Sequence, residues 1–404
     1  MEEKRFSRNA VFFVYFITMT ILLLDCSHNF PGTEMLRKIK YLFIALLIAD
    51  FLLSGDYLVS RLSAEVVIGL ALHTLIFCLG FTNPAIQRET LSHLKEMLIY
   101  LTMLFFLVNA VERYHAILLF LQLTALSLAI YLLWAGLTHP GDFISLADYP
   151  KIFLRDIRVR HEFGTDQFNY MGYFAFVGMT VFYILYAELR DRQLLDTLTF
   201  GVLVFLTAWA FAMMVSTGSR GSLLSIVVFY LTVFLRSRTF QELGRWRYVL
   251  IILFFLLAAY LVYLNFDFID RQGTRSENFT VNWPIFLAMG RFWTGMGYME
   301  SSGFLDQTYG FATWPVDIYY LYIFYATGIL GFCMVMAILG RIFVRHLKDR
   351  SWFGVHLGYP LCVAALAGGV GQVNLFTYRY IATLIISVLL LAPFGEQSRL
   401  QAGK

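Results

Sequence analysis

Charge is scarce in this chain, and so are cysteine and clustered histidine. Asp, Glu, Lys and Arg make up 14% of the 404 residues, against roughly 25% in a typical soluble domain. Hydrophobic residues make up 59% and aromatic residues 18%. This composition excludes an ordinary soluble domain and is typical of an integral membrane protein.

The few cysteines give no sign of a disulfide or a metal site. Cys26, Cys78, Cys333 and Cys362 lie singly in or beside apolar runs, without C-x-x-C spacing and without His at metal-ligand spacing. We therefore expect no disulfide, no metal and no cofactor. The net charge of +4 is modest and its cations are scattered, which disfavours nucleic acid as a partner and favours the headgroups of membrane lipids.

Apolar runs follow one another almost from end to end of the chain. A membrane helix needs about 20 residues to cross a hydrocarbon core of about 30 Å. The predicted helices lie near residues 10–27, 38–55, 62–81, 94–111, 114–137, 168–189, 194–215, 222–236, 247–266, 318–344, 357–376 and 378–395. The sequence thus predicts an all-α, polytopic helical bundle with about twelve transmembrane helices, in a single membrane domain over residues 1–404.

Arginine-rich short connections set the predicted orientation. With a cytoplasmic N-terminus, the connections at residues 190–192, 236–247 and 341–350 all fall on the cytoplasmic side, as the positive-inside rule expects. The opposite, outer face then holds residues 137–167, the turn at Arg220 and residues 267–316.

The two outer stretches are long for connections between membrane helices, and long ordered loops are usually functional. The second contains many aromatic residues, too many for a solvated coil. We therefore predict two long outer loops that contain short helices. One such helix is expected over residues 282–291, ended by Gly295 and Gly297.

A fixed positive charge stands between two apolar runs in the segment Ser216-Thr217-Gly218-Ser219-Arg220-Gly221-Ser222. The glycines allow close approach of a ligand, and a guanidinium with nearby amide and hydroxyl donors suits phosphate oxygens. The alternative is an interface anchor, with the guanidinium of Arg220 extended to the headgroups. The glycine and hydroxyl context favours the ligand.

Further cations lie on the outer stretches. Arg158 either contacts lipid headgroups or belongs to the site. Arg160 stands close to the next helix, where packing can fix its geometry. Arg275 is predicted to face the site, with Arg271 anchoring the helix before it. For Arg291, anchoring and ligand contact remain alternatives because its neighbours are apolar.

Asp317 precedes the predicted helix 318–344 and has two compatible roles. As an N-cap it would accept hydrogen bonds from free backbone amides and oppose the helix dipole. A carboxylate near several arginines also stays ionised, which suits it to orient a hydroxyl and accept its proton. Asp50 is an intramembrane ionisable residue and hence a functional candidate, but its predicted distance from the outer features argues against a place in the same site.

Taken together, these positions resemble the O-antigen polymerase and O-antigen ligase superfamily over roughly residues 155–345. Its members carry a serine-arginine-glycine turn between two helices, here Ser219-Arg220-Gly221. They also carry an arginine followed by a tryptophan, a Gly-x-Gly, and a helix that opens on a polar residue with a glycine farther along. The matching residues are Arg275, Trp283, Gly295, Gly297, Asp317 and Gly328, while Arg160 and Phe168-Asn169 look like the arginine and the Asn-containing helix entry upstream.

The resemblance implies glycosyl transfer between lipid-linked sugars at the periplasmic face of the bacterial inner membrane. A glycan on undecaprenyl diphosphate would move onto the terminal hydroxyl of a second lipid-linked repeat unit, building O-antigen, capsule or exopolysaccharide. Neither metal nor nucleotide sugar would be needed, because arginines supply the positive charge. A chain-length regulator is a possible partner protein.

The resemblance also implies residue roles. Arg220 and Arg275 would bind the diphosphate with Arg160 in support, and Asp317 would deprotonate the acceptor hydroxyl, with inversion at the anomeric carbon. The remaining substrate-binding residues would be Arg158, Asn169, Ser219 and Arg291.

Two other functions stay open. In the ligases, which transfer the glycan to lipid A core, the helix opens with His-Asn, whereas this chain has Asp317-Ile318; that difference favours a polymerase. A polysaccharide flippase or other transporter would bind the substrate without breaking a bond. Transporters place binding residues at the membrane midplane on broken helices, and the cations here are predicted at one surface, which favours the enzyme.

Overall fold

A computed structural model describes most of the chain. The described residues are 8–26, 38–54, 61–78, 87–148, 161–165, 168–237, 240, 242–246, 249, 252–253, 256, 278–297, 319–348, 357–369 and 381–391. Within these ranges the regular structure is helical. The predicted helix at 247–266 lies mostly outside them.

The described part of the chain contains twelve α-helices. They are α1 (Arg8–Asp25), α2 (Ile39–Ser54), α3 (Arg61–Cys78), α4 (Gln87–Arg113), α5 (Ile117–Thr138), α6 (Phe168–Asp191), α7 (Thr197–Thr217), α8 (Arg220–Arg236), α9 (Trp283–Ala288), α10 (Tyr319–Lys348), α11 (Gly358–Gly368) and α12 (Ile381–Leu391). Short 3₁₀ turns at Pro140–Asp142 and Leu146–Asp148 follow α5, and a π turn at Asn278–Asn282 precedes α9.

The helices are those of a membrane-embedded protein. Six of those described are long and apolar enough to cross a bilayer, and four shorter apolar helices accompany them. On α7, the large apolar side chains of Leu198, Val204 and Phe205 are exposed by half or more. A face of this kind is stable against lipid and would be an aggregation site in water. The count of about twelve spans remains a prediction.

Helix α12 forms the centre of the bundle. Its residues from Ala382 to Leu391 are all buried, and it packs against α1, α4, α6 and α11. A helix that is apolar on every side is suited to such a place. The buried hydroxyl of Ser387 has a hydrogen-bonding partner there, the hydroxyl of Tyr100 on α4 at 2.7 Å.

Contacts at the helix ends order the bundle along its axis. At one end Ser63 donates to the carbonyl of Leu391 and to the carboxylate of Glu112, and Asp50 pairs with Arg113; we call this the Asp50 end. Helix α5 begins there and leads to the opposite end, where the chain after it meets the α7–α8 turn. We call this second end the Ser219 end. The predicted orientation makes it the outer one.

Candidate functional site

The turn between α7 and α8 is the centre of the Ser219 end. Helix α7 ends because Gly218 takes a left-handed conformation, with φ +63° and ψ +19°, and its amide donates to Val215 O at 3.0 Å. Ser219 is extended, with φ −71° and ψ 97°, and α8 begins at Arg220. A reversal of chain direction within two residues is possible because glycine tolerates positive φ.

Hydroxyl groups fill the interior of this turn. Ser216, Thr217, Ser219, Ser222 and Ser225 are all fully buried. The hydroxyl of Ser219 donates to Ser222 Oγ at 3.0 Å and makes no capping bond to the first amides of α8. The turn is therefore polar inside while its surroundings are apolar, an arrangement suited to a polar ligand at a membrane boundary.

Helix α6 holds the turn from the side. A Cβ atom at Gly172 would lie 2.3 Å from Ser219 Cβ and 3.0 Å from Thr217 Oγ1, so only glycine leaves room for the turn at this point. Asn169 lies three residues earlier on α6, about one helical turn toward the helix start. The backbone at Asn169 is thus close to the level of the Ser219 turn.

The first outer stretch is bonded to the same turn. The amide of Ile144 donates to Ser216 Oγ at 3.1 Å, and the amide of His161 donates to Ser216 O at 3.4 Å. Asp142 accepts from the amide of Phe163 at 2.9 Å and lies 3.5 Å from the ring nitrogen of His161. Ser216 therefore fixes both described parts of this stretch. Arg160 immediately precedes His161, one of the residues bonded to Ser216, in the sequence.

Helix α10 also begins at the Ser219 end. Both α8 and α10 pack against α11, and the Tyr319 amide at the start of α10 donates to Gly369 O at the end of α11, at 3.0 Å. Arg236 at the other end of α8 lies over the ring of Tyr359 at the start of α11, so α8 and α11 run antiparallel. The first residues of α8 and α10 hence lie at the same end of the bundle.

The second outer stretch packs against α10. The predicted short helix is present as α9, but the expectation that Gly295 and Gly297 end it is wrong. Helix α9 ends at Ala288, and Gly290 follows with φ +66°. Both later glycines are used instead in contacts with α10, and the carbonyl of Arg291 accepts from the amide of Gly295 at 2.8 Å.

The described residues place part of the predicted site. Ser219 is buried in the turn, and Arg291 is half-buried beside α10. The backbones of Asn169 and Arg220 open α6 and α8, while their side chains lie outside the description. Arg158, Arg160, Arg275 and Asp317 lie outside the described residues, so their roles remain predictions.

Sequence reasoning did not single out Gly172 or Ser216 as structural supports of the turn. Ser216 is the first residue of the segment around Arg220, and no role was predicted for it. Gly172 is a glycine within a helix, which is often a sign of close packing. The sequence contains both residues in positions that suggest close packing or a turn. It does not show that Gly172 packs against Ser219 or that Ser216 bonds to Ile144 and His161.

The start of α8 has the electrostatic features of an anion-binding position. The start of α8 carries the positive end of the helix dipole together with first-turn amide groups, and phosphate and sulfate groups favour such positions. Across the described residues, no three His, Cys, Asp or Glu side chains come close enough together to hold a metal ion.

Comparisons with known proteins give no family for the chain. No protein-family model matches it, and no curated protein matches it either.

Proposed function

We propose that the protein is a polysaccharide repeat-unit polymerase of the bacterial inner membrane, with its site at the periplasmic face. The observation that carries the proposal is the buried hydroxyl turn at Ser219. It opens α8 with Arg220 and is held by Gly172 of α6 and by the first outer stretch. A rigid support of this kind suits a cation that must meet a diphosphate in one orientation.

In the proposed reaction the bond between the anomeric carbon and the diphosphate oxygen of the donor breaks. The terminal hydroxyl of the acceptor repeat unit forms the new bond to that carbon, from the opposite face. Its proton passes to the carboxylate of Asp317, and polyprenyl diphosphate leaves with the electron pair. Arg220 and Arg275, supported by Arg160, stabilise the negative charge that develops on the leaving group.

The remaining proposed contacts bind the sugars and the lipid-linked diphosphate. Arg158, Asn169, Ser219 and Arg291 are assigned to this role. Ser219 is buried beneath the start of α8, so we assign its hydroxyl to the support of the turn through Ser222 as well as to binding. Membrane lipids surround the whole assembly.

A transporter is the second candidate, because α10 is interrupted at Gly328. Broken helices are typical of transporter binding sites, where the freed backbone groups face the substrate. In α10, however, carbonyls before the break and amides after it are paired with residues 292–297. These backbone groups already have partners within the protein and are not left over for a transported ligand to satisfy, which favours the enzyme.

The test uses purified protein in liposomes with lipid-linked repeat units. A ladder of longer lipid-linked glycans is expected without added metal or nucleotide. Arg220→Ala and Asp317→Ala should abolish the ladder while the protein stays folded, whereas Arg190→Ala, an exposed arginine near the Asp50 end of α6, should not.

The alternatives give different products in the same assay. Transfer only to lipid A core would identify a ligase, and movement of intact substrate across the bilayer without new bonds would identify a transporter. Normal ladders from both the Arg220 and the Asp317 variants would show that the site is wrongly assigned.

A further inference from the structure

Helix α10 is interrupted inside its apolar length. Gly328 has φ 65° and ψ −169°, a backbone conformation that is essentially confined to glycine. An interruption removes the helical partners of carbonyls before it and of amides after it. In hydrocarbon those groups must be satisfied by other parts of the protein, because no water is present to do so.

The segment 291–297 satisfies them with its own backbone. Four hydrogen bonds join it to α10: Met296 N to Tyr325 O (2.8 Å), Gly297 N to Ala326 O (3.0 Å), Ile329 N to Phe292 O (2.9 Å) and Leu330 N to Trp293 O (3.4 Å). The second outer stretch thus supplies hydrogen-bonding partners for backbone groups on both sides of the interruption in α10.

Two glycines make this approach possible. A Cβ at Gly295 would lie 2.4 Å from Ala326 O, and a Cβ at Gly328 would lie 2.4 Å from the carbonyl carbon of Trp293. Each glycine therefore makes room for the backbone of the other segment. The contact is a fitted junction between two parts of the chain.

The length of α10 shows where this junction lies in the bilayer. Between Tyr319 and Arg341 the helix carries no charged residue, and at a rise of 1.5 Å per residue this length is about 33 Å. It matches a hydrocarbon core of about 30 Å. Gly328 lies about 14 Å from Tyr319 along the helix, so the junction is well inside the hydrocarbon.

The segment enters this depth and returns. Trp283 and Phe286 of α9 contact the rings of Phe324 and Tyr325. Farther along, Trp293 reaches the level of Leu330, which is deeper. Met296 and Gly297 are again level with Tyr325 and Ala326, so the deepest point is near Trp293.

The segment and α10 carry apolar side chains that are exposed. Trp293 is 63% exposed, Leu330 48% and Leu287 45%. Large apolar side chains exposed to this extent are suited to contact with lipid acyl chains.

We infer that residues 283–297 form a re-entrant segment, which enters the hydrocarbon from the Ser219 end, turns at Trp293 and places that side chain among lipid acyl chains. This inference goes beyond the proposed function, since it concerns the lipid contacts of the chain and holds for an enzyme or a transporter. It differs from the expectation that the whole of residues 267–316 lies on the outer face.

Site-directed spin labelling measures the depth. Three single-cysteine proteins in liposomes are compared: Trp293→Cys, a version that keeps only Cys333, and Glu162→Cys. Cys333 is exposed on α10 five residues beyond Gly328 and serves as the reference within hydrocarbon. Glu162 is exposed in the first outer stretch and serves as the aqueous reference.

The expected result is that the label at position 293 collides with oxygen and is protected from a water-soluble nickel chelate, as the Cys333 label is. Collision with nickel at the level of the Glu162→Cys label would overturn the inference. If Trp293→Cys does not fold, Leu287→Cys gives the same test on α9, with the same two outcomes.

Discussion

Asp50 and Arg113 form a buried ion pair between α2 and α4, although they lie 63 residues apart in the chain. The hydroxyl of Tyr114 donates to the other carboxylate oxygen of Asp50 at 2.7 Å, and the guanidinium lies over the Tyr114 ring. Both charged side chains are nearly inaccessible, with 2% and 6% exposure. The paired charges therefore hold two helices in register at the Asp50 end.

Asp50→Ala should strongly destabilise the protein. Removal of the carboxylate takes away the ion pair that the buried Arg113 charge makes with Asp50, and breaking a buried pair from one side costs about 3–5 kcal/mol. Chemical unfolding in detergent micelles measures the change. The control is Arg341→Ala, which breaks the solvent-exposed pair with Glu65 and should have little effect. Equal losses in both variants would contradict the assigned role.

Gly328→Ala should destabilise α10 while Gly340→Ala should not. Alanine at position 328 would have to adopt positive φ and would meet the Trp293 backbone, which together should cost about 2 kcal/mol or more. A Cβ at Gly340 meets nothing within 4 Å, and alanine favours helix by about 1 kcal/mol. Thermal unfolding measures the stability of the two variants, and because both glycines lie in α10, Gly340→Ala is the matched control. Similar stability of both would refute the fitted junction.

Gly172→Ala should displace the Ser219 turn. The added methyl would overlap Ser219, and overpacking of this kind costs about 1–3 kcal/mol. If the proposed function holds, the glycan ladder should also weaken by roughly tenfold or more, because small displacements of catalytic groups slow a reaction strongly. Gly201→Ala on α7 is the control, since a Cβ there meets nothing within 4 Å. A stable Gly172→Ala protein with full activity would contradict the packing argument.

Asp196 should make the start of α7 sensitive to acid. Its carboxylate accepts from the Thr199 amide at 2.6 Å, which holds the pKa of Asp196 below its usual value. A lowered pKa means that the stabilisation is complete above the unfolded-state pKa and is lost as the pH falls through the folded-state pKa. Hydrogen exchange of the first α7 amides should rise in Asp196→Ala at neutral pH.

Asp196→Asn is the matched variant, because its side-chain oxygen can still cap the helix without a charge that titrates. Its exchange rates should stay close to those of the unmodified protein at neutral pH and should not follow the acid transition. Equal exchange in the alanine variant and the unmodified protein would show that the cap contributes nothing.

Much of the helical framework could be predicted from the chain. The predicted runs at 168–189 and 194–215 correspond to α6 and α7, because the bilayer thickness sets the length of an apolar helix. The short helix α9 was predicted within the aromatic-rich stretch, but the predicted end was wrong, since the helix ends at Ala288. Gly295 and Gly297 are typical helix-ending residues, and nothing local in the sequence shows that they contact α10.

The candidate site was predicted only at the level of motifs. The pattern Gly218-Ser219-Arg220 indicated a tight turn between two helices, and that turn is present. The contact of Gly172 with Ser219 and the bonds from Ile144 and His161 to Ser216 could not be predicted, because each joins segments far apart in sequence.

By itself the sequence determined that this is a helical membrane protein, since hydropathy over 20 residues is a local property that acts before any packing. Only the tertiary structure decided that Asp50 meets Arg113, that Gly295 meets Ala326 while Gly328 meets Trp293, and that α12 is central. Those relationships depend on which helices lie side by side, and in lipid that choice is made by steric fit and buried polar pairs, which no single segment carries.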